Sequence, residues 1–306
     1  GVTRVLGGRM TLTRVPDGGN ASTRVWGIYG GSGLVSFESM RLSMPEPPSG
    51  VFQILFQPIA GGELNVVSSE VVAQGTRQAQ VLAQNDHQSR VRIVSSTVSG
   101  PFAQVVSLTV GGNVDVSGST LIGGVTGIGF AGGQEPGGVA RPVVQVLDST
   151  LRGFSSYGVH LPNHGEVTVL NSTIRDNGRA GIFMAGVPNL PWVTAEYALR
   201  MSGSTIAGNG SGGADQGGVV MAGSPTSVWN LGLNGQGVNV LLGANGSPAL
   251  RLGVPSGVTV QASGNVWTPS VQGADTAGRY SGDLLVTGGS GTNYVINGAG
   301  ALRLAP

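Results

Sequence analysis

Two histidines, His160 and His164, stand four residues apart, the spacing at which one face of a helix offers two zinc ligands. Pro162 and Asn163 lie between them and oppose a helix, so the pair reads as two surface histidines. Around His160 the chain carries Arg152, Arg175, Arg179, Asp148 and Asp176. Arginines brought side by side next to acids can hold an anion or a sugar acid; the same set also makes an ordinary solvated ladder of ion pairs. Hydrolysis of a glycosidic bond needs two carboxylates flanking it, and the 15 acids here are spread along the chain without an Asp-Asp pair. No residue is therefore assigned a catalytic role. Arg152, Arg175, Asp148, Asp176 and His160 are the nearest approach to a site, and no cofactor-binding or metal-binding residue is assigned.

Composition removes other chemistries. There is no Cys, which excludes disulfides, thiolate metal sites and a Cys nucleophile. There is no Lys either, since all 16 basic residues are Arg, so a Walker A loop and a Schiff-base mechanism are excluded. The net charge of +1 and the scattered Arg residues give no concentrated basic face for nucleic acid. No apolar run approaches the roughly 18 residues of a transmembrane helix. Gly127-Ile128-Gly129-Phe130-Ala131-Gly132 spells G-x-G-x-x-G, but a Gly-rich loop follows where a dinucleotide site needs a helix. Sequons at Asn20, Asn171, Asn209 and Asn245 are those a Ser/Thr-rich chain produces by chance. No signal peptide opens the chain at Gly1-Val2-Thr3, which reads as a mature or trimmed product or a cytosolic protein.

The elements that would position these residues come from an internal repeat. Ser95-Ser96-Thr97-Val98, Gly118-Ser119-Thr120-Leu121, Asp148-Ser149-Thr150-Leu151, Asn171-Ser172-Thr173-Ile174 and Gly203-Ser204-Thr205-Ile206 share the form x-Ser-Thr-aliphatic. Looser copies put their markers at Met40, Val71, Leu231 and Val266, for a mean interval of about 28 residues. Before each marker runs an alternating stretch such as Val167-Thr168-Val169, the period of a half-buried strand. After it come a Gly or Asn turn and a second short strand, such as Gly181-Ile182-Phe183-Met184. Three short strands in as few as about 23 residues leave no room for a helix. The expected solution is a solenoid that climbs one strand spacing, about 4.8 Å, per coil. Ile and Val then stack inward, as Val146, Leu151, Val159, Leu161, Val169, Ile174, Ile182 and Met184, while Ser and Asn stack at the turns. Leu147, Leu170, Phe183 and Val220 fall outward, under a covering loop at Val187–Glu196 with Leu190 and Trp192, or as a docking face.

The pattern V-x-V-x-N-S-T-I-x-x-N-G-x-x-G-I-x-M at 167–184 resembles the repeat of the pectate-lyase-like superfamily of right-handed parallel β-helices. The resemblance runs over roughly 27–267 and implies an all-β right-handed parallel β-helix of about nine coils. It implies no single activity, since that superfamily includes lyases, hydrolases, phage tailspikes, adhesins and plain surface proteins. A lyase of the kind would use Arg152 or Arg175 beside a uronate, with Ca²⁺ held by clustered acids, and no such cluster is present. Asn163-His164-Gly165 is similar to a polygalacturonase His-Gly motif without its acidic companions.

The expected organisation is an N-terminal strand or cap over 1–26, the β-helix over 27–267 and a C-terminal cap over 268–306. In it Arg9–Thr13 closes one end, and Asp283–Val286 with Asn293–Ile296 forms a terminal hairpin at the other. Insertions leave the rod at Ala131–Arg141, Val187–Glu196 and Ser211–Gly217. The expected function is a non-catalytic, secreted or cell-envelope protein, structural or glycan-binding, with an envelope partner, further copies of itself or a polysaccharide as its contacts. The alternatives are a lyase or glycoside hydrolase acting on an acidic polysaccharide, and a trimeric tailspike-like protein.

Overall fold

The computed structural model describes residues 2–11, 23–29, 32–58, 60–85, 88–109, 111–130, 141–162, 164–185, 197–211, 216–222, 228–232, 239–244, 247–252, 259–261, 265–268, 284–286, 295–296 and 303–304. The named strands among them pair parallel, and no helix occurs among the described residues. The chain divides into two compact units, Gly1–Gln145 with Ser149–Ser155, and Val146–Asp148 with Ser156–Pro306.

In the first unit, Val2–Thr11 pairs with Leu34–Met44, whose first half pairs with Glu63–Val67, then Arg90–Val94 and Asn113–Ser117. The second half of Leu34–Met44 leads a parallel ladder through Glu70–Ala73, Thr97–Ser99, Thr120–Ile122 and Thr150–Arg152. A third ladder runs from Thr23–Tyr29 through Val51–Gln57, Gln80–Asn85, Phe102–Leu108 and Thr126–Phe130. The second unit repeats the scheme. Gly165–Leu170, Tyr197–Ser202, Val228–Asn230, Thr259–Gln261 and Val295–Ile296 form one ladder. Thr173–Arg175, Thr205–Ala207, Val240–Leu242, Val266–Thr268 and Arg303–Leu304 form the next. Tyr157–His160, Ala180–Ala185, Gly217–Ala222, Leu250–Leu252 and Leu284–Val286 form the third.

Alternation decides which side chains fill the interior. Val91 and Ile93, like Val114 and Val116 aligned with them, are fully buried between half-exposed neighbours. All eight residues expected inward, including Ile174 and Met184, are fully buried. The turn ahead of each short strand explains the variable first letter of the repeat. Ser39, Ser68, Ser95, Gly118, Asp148, Asn171 and Gly203 all sit at φ between 46 and 60°. In this left-handed region Gly is unstrained, and the short polar side chains of Asn and Asp are the commonest exceptions. The Ser that follows builds an internal ladder. Ser69 N–H donates to Ser96 Oγ (3.0 Å), Ser96 N–H to Ser119 Oγ (3.0 Å), and Ser119 N–H to Ser149 Oγ (3.1 Å). Each of Ser96 and Ser119 in turn donates its hydroxyl to the carbonyl two residues back, at 2.7 Å. In the second unit Ser172 N–H donates to Ser204 Oγ, and Asn239 and then Asn265 take over the acceptor role.

Pairing corrects several sequence readings. Leu284–Val286 and Val295–Ile296 do not form a hairpin with each other; each joins a different parallel ladder. Ile206 aligns with Leu241, and Leu241 with Trp267, so the markers in those coils are Leu241 and Trp267, not Leu231 and Val266. At the other end Leu42, not Met40, aligns with Val71. Arg9–Thr11 belongs to a longer strand, Val2–Thr11, in register with Leu34–Met44; Leu12 and Thr13 lie outside the described residues. The insertions at 131–140, 187–196 and 212–215, including Leu190 and Trp192, also lie outside them.

Candidate functional site

The outward face of the third ladder in the second unit gathers the aromatic residues. Tyr157 aligns with Ala180 and His160 with Phe183; Ala180 then aligns with Gly217 and Phe183 with Val220. Small residues beside Tyr157 leave its ring room to fold over the strand. It stacks on the His160 imidazole at 4.3 Å between centroids and 10° between planes. Phe183 lies 5.3 Å from both rings, tilted by 54° to Tyr157 and 46° to His160. Tyr157, Ala180 and Val220 form a small buried cluster, with Phe183 and Ala185 packed on it and only partly covered. Arg179, in the turn just before, donates from Nη1 to Tyr157 Oη at 3.1 Å, and its guanidinium carbon stands 5.7 Å from the Tyr157 centroid. That is within cation–π range.

Burial, and next the Arg179 charge, push the His160 pKa down to about 4. At neutral pH its ring is therefore uncharged, with one nitrogen donating and the other accepting. No hydrogen bond among the described residues engages that ring. Tyr197 is the other perturbed aromatic: burial raises its phenol pKa, and its hydroxyl donates to Pro162 O at 2.7 Å.

Of the residues singled out by sequence, His160 and Arg179 join this cluster, together with Phe183 from the outward-facing set. Arg175 pairs with its own neighbour Asp176 at 3.2 Å, both about half exposed. Asp176, at φ 57°, and Asp148, at φ 49°, occupy left-handed turn positions. Arg152 lies in the first unit, in register with Ile122, at the end of Thr150–Arg152. Tyr157 completes the cluster. Tyr157 was missed because it precedes the Gly of its repeat, where the aligned residues are the unremarkable Ala180 and Gly217.

A second polar feature crosses the outward face of the first unit. Arg4, Ser36, Asn65, Arg92 and Asp115 align on successive strands. Arg90 Nε donates to Asp115 Oδ2 at 2.6 Å, and Arg92 reaches Glu63 at 3.1 Å and Asp115 at 3.5 Å. Arg4 approaches Glu38 at 3.6 Å and Arg41 pairs with Glu70 at 3.2 Å. Among the described residues no group of three or more His, Asp or Glu is placed to hold a metal ion.

A family match agrees with these parallel ladders. The family described as right handed beta helix region matches residues 79–230. The crystal structure of pectate lyase Pel9A is similar at 12% identity and a TM-score of 0.42, over 99% of this chain and 73% of its own. No curated protein matches the sequence. Over residues 79–230 the family match agrees with the parallel ladders and describes them as a right-handed parallel β-helix. No helix among the described residues is long and apolar enough to cross a membrane.

Proposed function

We propose that this chain is a non-cleaving β-helix of a secreted or cell-envelope assembly, a rigid scaffold that contacts glycan without turning it over. The observation that carries this reading is how the acids among the described residues, Asp148 apart, are engaged. Glu38, Glu63, Glu70 and Asp115 each face an arginine within the first unit, as Glu166 and Asp176 do within the second. Glu46 accepts hydrogen bonds from the Thr76 and Arg77 backbone N–H groups, which hold its carboxyl below the usual range. A carboxylate whose oxygens already face an arginine or backbone donors is not free to flank a glycosidic bond as one of the two groups that hydrolysis needs.

In this reading the β-helix over 27–267 has about nine coils, with an N-terminal strand or cap over 1–26 and a C-terminal cap over 268–306. Its partners are an envelope protein or further copies of itself. Arg152, Arg175, Asp148, Asp176 and His160 act in surface pairing, turn geometry or ligand contact, with no resident cofactor. The test is incubation of the purified protein with pectate, alginate and host-type glycans, with and without Ca²⁺. No new reducing ends or unsaturated uronates are expected. Turnover abolished by Arg175→Ala would overturn the reading in favour of a lyase.

A further inference from the structure

We propose that the Tyr157–His160–Phe183 face, with Arg179 at its rim, is a stacking subsite for an uncharged pyranose unit of a glycan chain. The proposal deepens the glycan-contact part of the reading above and rests on it for the class of ligand.

The rings are preorganised. His160 and Phe183 sit opposite each other on neighbouring strands, so strand pairing fixes their separation. Tyr157 backs His160 face to face, while Ala180 and Val220 are buried beneath. Little side-chain freedom is left to lose on binding, which favours affinity. His160 and Phe183 remain partly open while Tyr157 and Val220 are covered, so these two rings are what the face presents. A pyranose with equatorial substituents offers an apolar C–H face to such rings and hydroxyls around its edge. Sites of this kind combine aromatic walls with a few placed polar groups.

The polar groups point to hydroxyls. The uncharged His160 ring can donate to one hydroxyl and accept from another. Arg179 spends one donor on Tyr157 and is otherwise exposed, with further N–H groups to offer. An anionic polymer would need more cation than this. Arg175 is held by Asp176, Arg200 lies 3.9 Å from Glu166, and Arg251 Nε donates to Gln216 O at 3.1 Å. A wholly apolar partner would bury the His160 and Arg179 donors unpaired, at a cost.

The experiment titrates the full chain with cellohexaose as the uncharged probe and hexagalacturonate as the anionic one, by calorimetry and saturation-transfer NMR. Cellohexaose is expected to saturate. Phe183→Leu, which keeps apolar bulk without the ring, should weaken it about tenfold or more, the scale of losing one stacked ring. Phe183→Tyr should restore it. Failure of cellohexaose to saturate, equal affinity in Phe183→Leu, or saturation by hexagalacturonate alone would each overturn the subsite. Cellohexaose bound but recovered shortened would support the subsite and overturn the non-cleaving reading. An absence of both binding and cleavage would overturn the subsite and leave the scaffold reading standing.

Discussion

Asn209 Oδ1 accepts two hydrogen bonds from Asn177, one from its backbone N–H at 3.1 Å and one from its side-chain amide at 2.8 Å. Asn209 Nδ2 then donates to Ile174 O at 3.0 Å. Both asparagines are buried although each begins an Asn-Gly pair, ordinarily a solvent-facing turn signal. They replace, inside the coil, backbone partners that the turn removes.

The two members of this pair should differ on truncation. Asn209→Ala removes the acceptor for two buried donors and should cost about 1–3 kcal/mol, the range for a buried polar group left unpaired. Asn177→Ala leaves its own backbone N–H still bonded to Asn209 and should cost about 1 kcal/mol. Urea denaturation midpoints of the two variants check the order.

The apolar ladder should be more sensitive still. Ile174 is fully buried in register with Ile206. Ile174→Ala opens a cavity between stacked neighbours and should cost about 2–5 kcal/mol. A midpoint shift smaller than that of Asn177→Ala would show that the ladder is misassigned.

Overpacking the same layer should also register. A Cβ on Gly158 would stand 2.7 Å from Gly181 O and 2.7 Å from Ile174 Cγ2. The first of these is backbone and cannot swing away. Gly158→Ala should therefore destabilise by about 1–3 kcal/mol, the usual cost of one methyl too many, and thermal unfolding reads it directly.

His160 should leave a mark on the pH dependence of stability. Its folded pKa, about 4, lies below the unfolded value of 6.5. Above about pH 7 both states are neutral and the group contributes nothing. Between about pH 6.5 and 4 the unfolded chain takes up a proton that the folded chain refuses, so stability falls with pH, by up to about 3 kcal/mol, and levels off below. The wild type should therefore lose more stability than His160→Gln between about pH 7.5 and 4.5. Equal losses in urea titrations at the two pH values would show that the imidazole is not desolvated.

The Ser-Thr-aliphatic repeat made the interior legible because each letter has its own physical duty. The first residue takes the left-handed turn, Ser carries the internal hydrogen bond, and the aliphatic residue fills the core. Legibility failed where these duties pass to other residue types. Asn239 does the work of Ser204 one coil on, so Leu241 lacks the Ser-Thr signature that marks the coil before it, and the sequence pattern points to Leu231. Near the N-terminus, Met40 stands where Ser69 stands in the next coil and donates its N–H to that serine, so an apolar residue two positions before the true marker, Leu42, mimics it. The candidate site was half legible: aligned Gly-started strands put His160 beside Phe183, but a ring stacked along its own strand, as Tyr157 is on His160, leaves no periodic trace.

The internal serines all face one way. Ser96 N–H meets the Ser119 hydroxyl as Ser69 N–H meets that of Ser96, at the same 3.0 Å. Excision of one intervening stretch, such as the 23-residue step from Ser96 to Ser119, would bring together a donor and an acceptor of the same kind in the same orientation. The ladder is thus indifferent to its own length. A gene encoding it can gain or lose whole turns by unequal recombination with the donor–acceptor order of this ladder kept, and the number of coils becomes a quantity that selection can adjust one at a time.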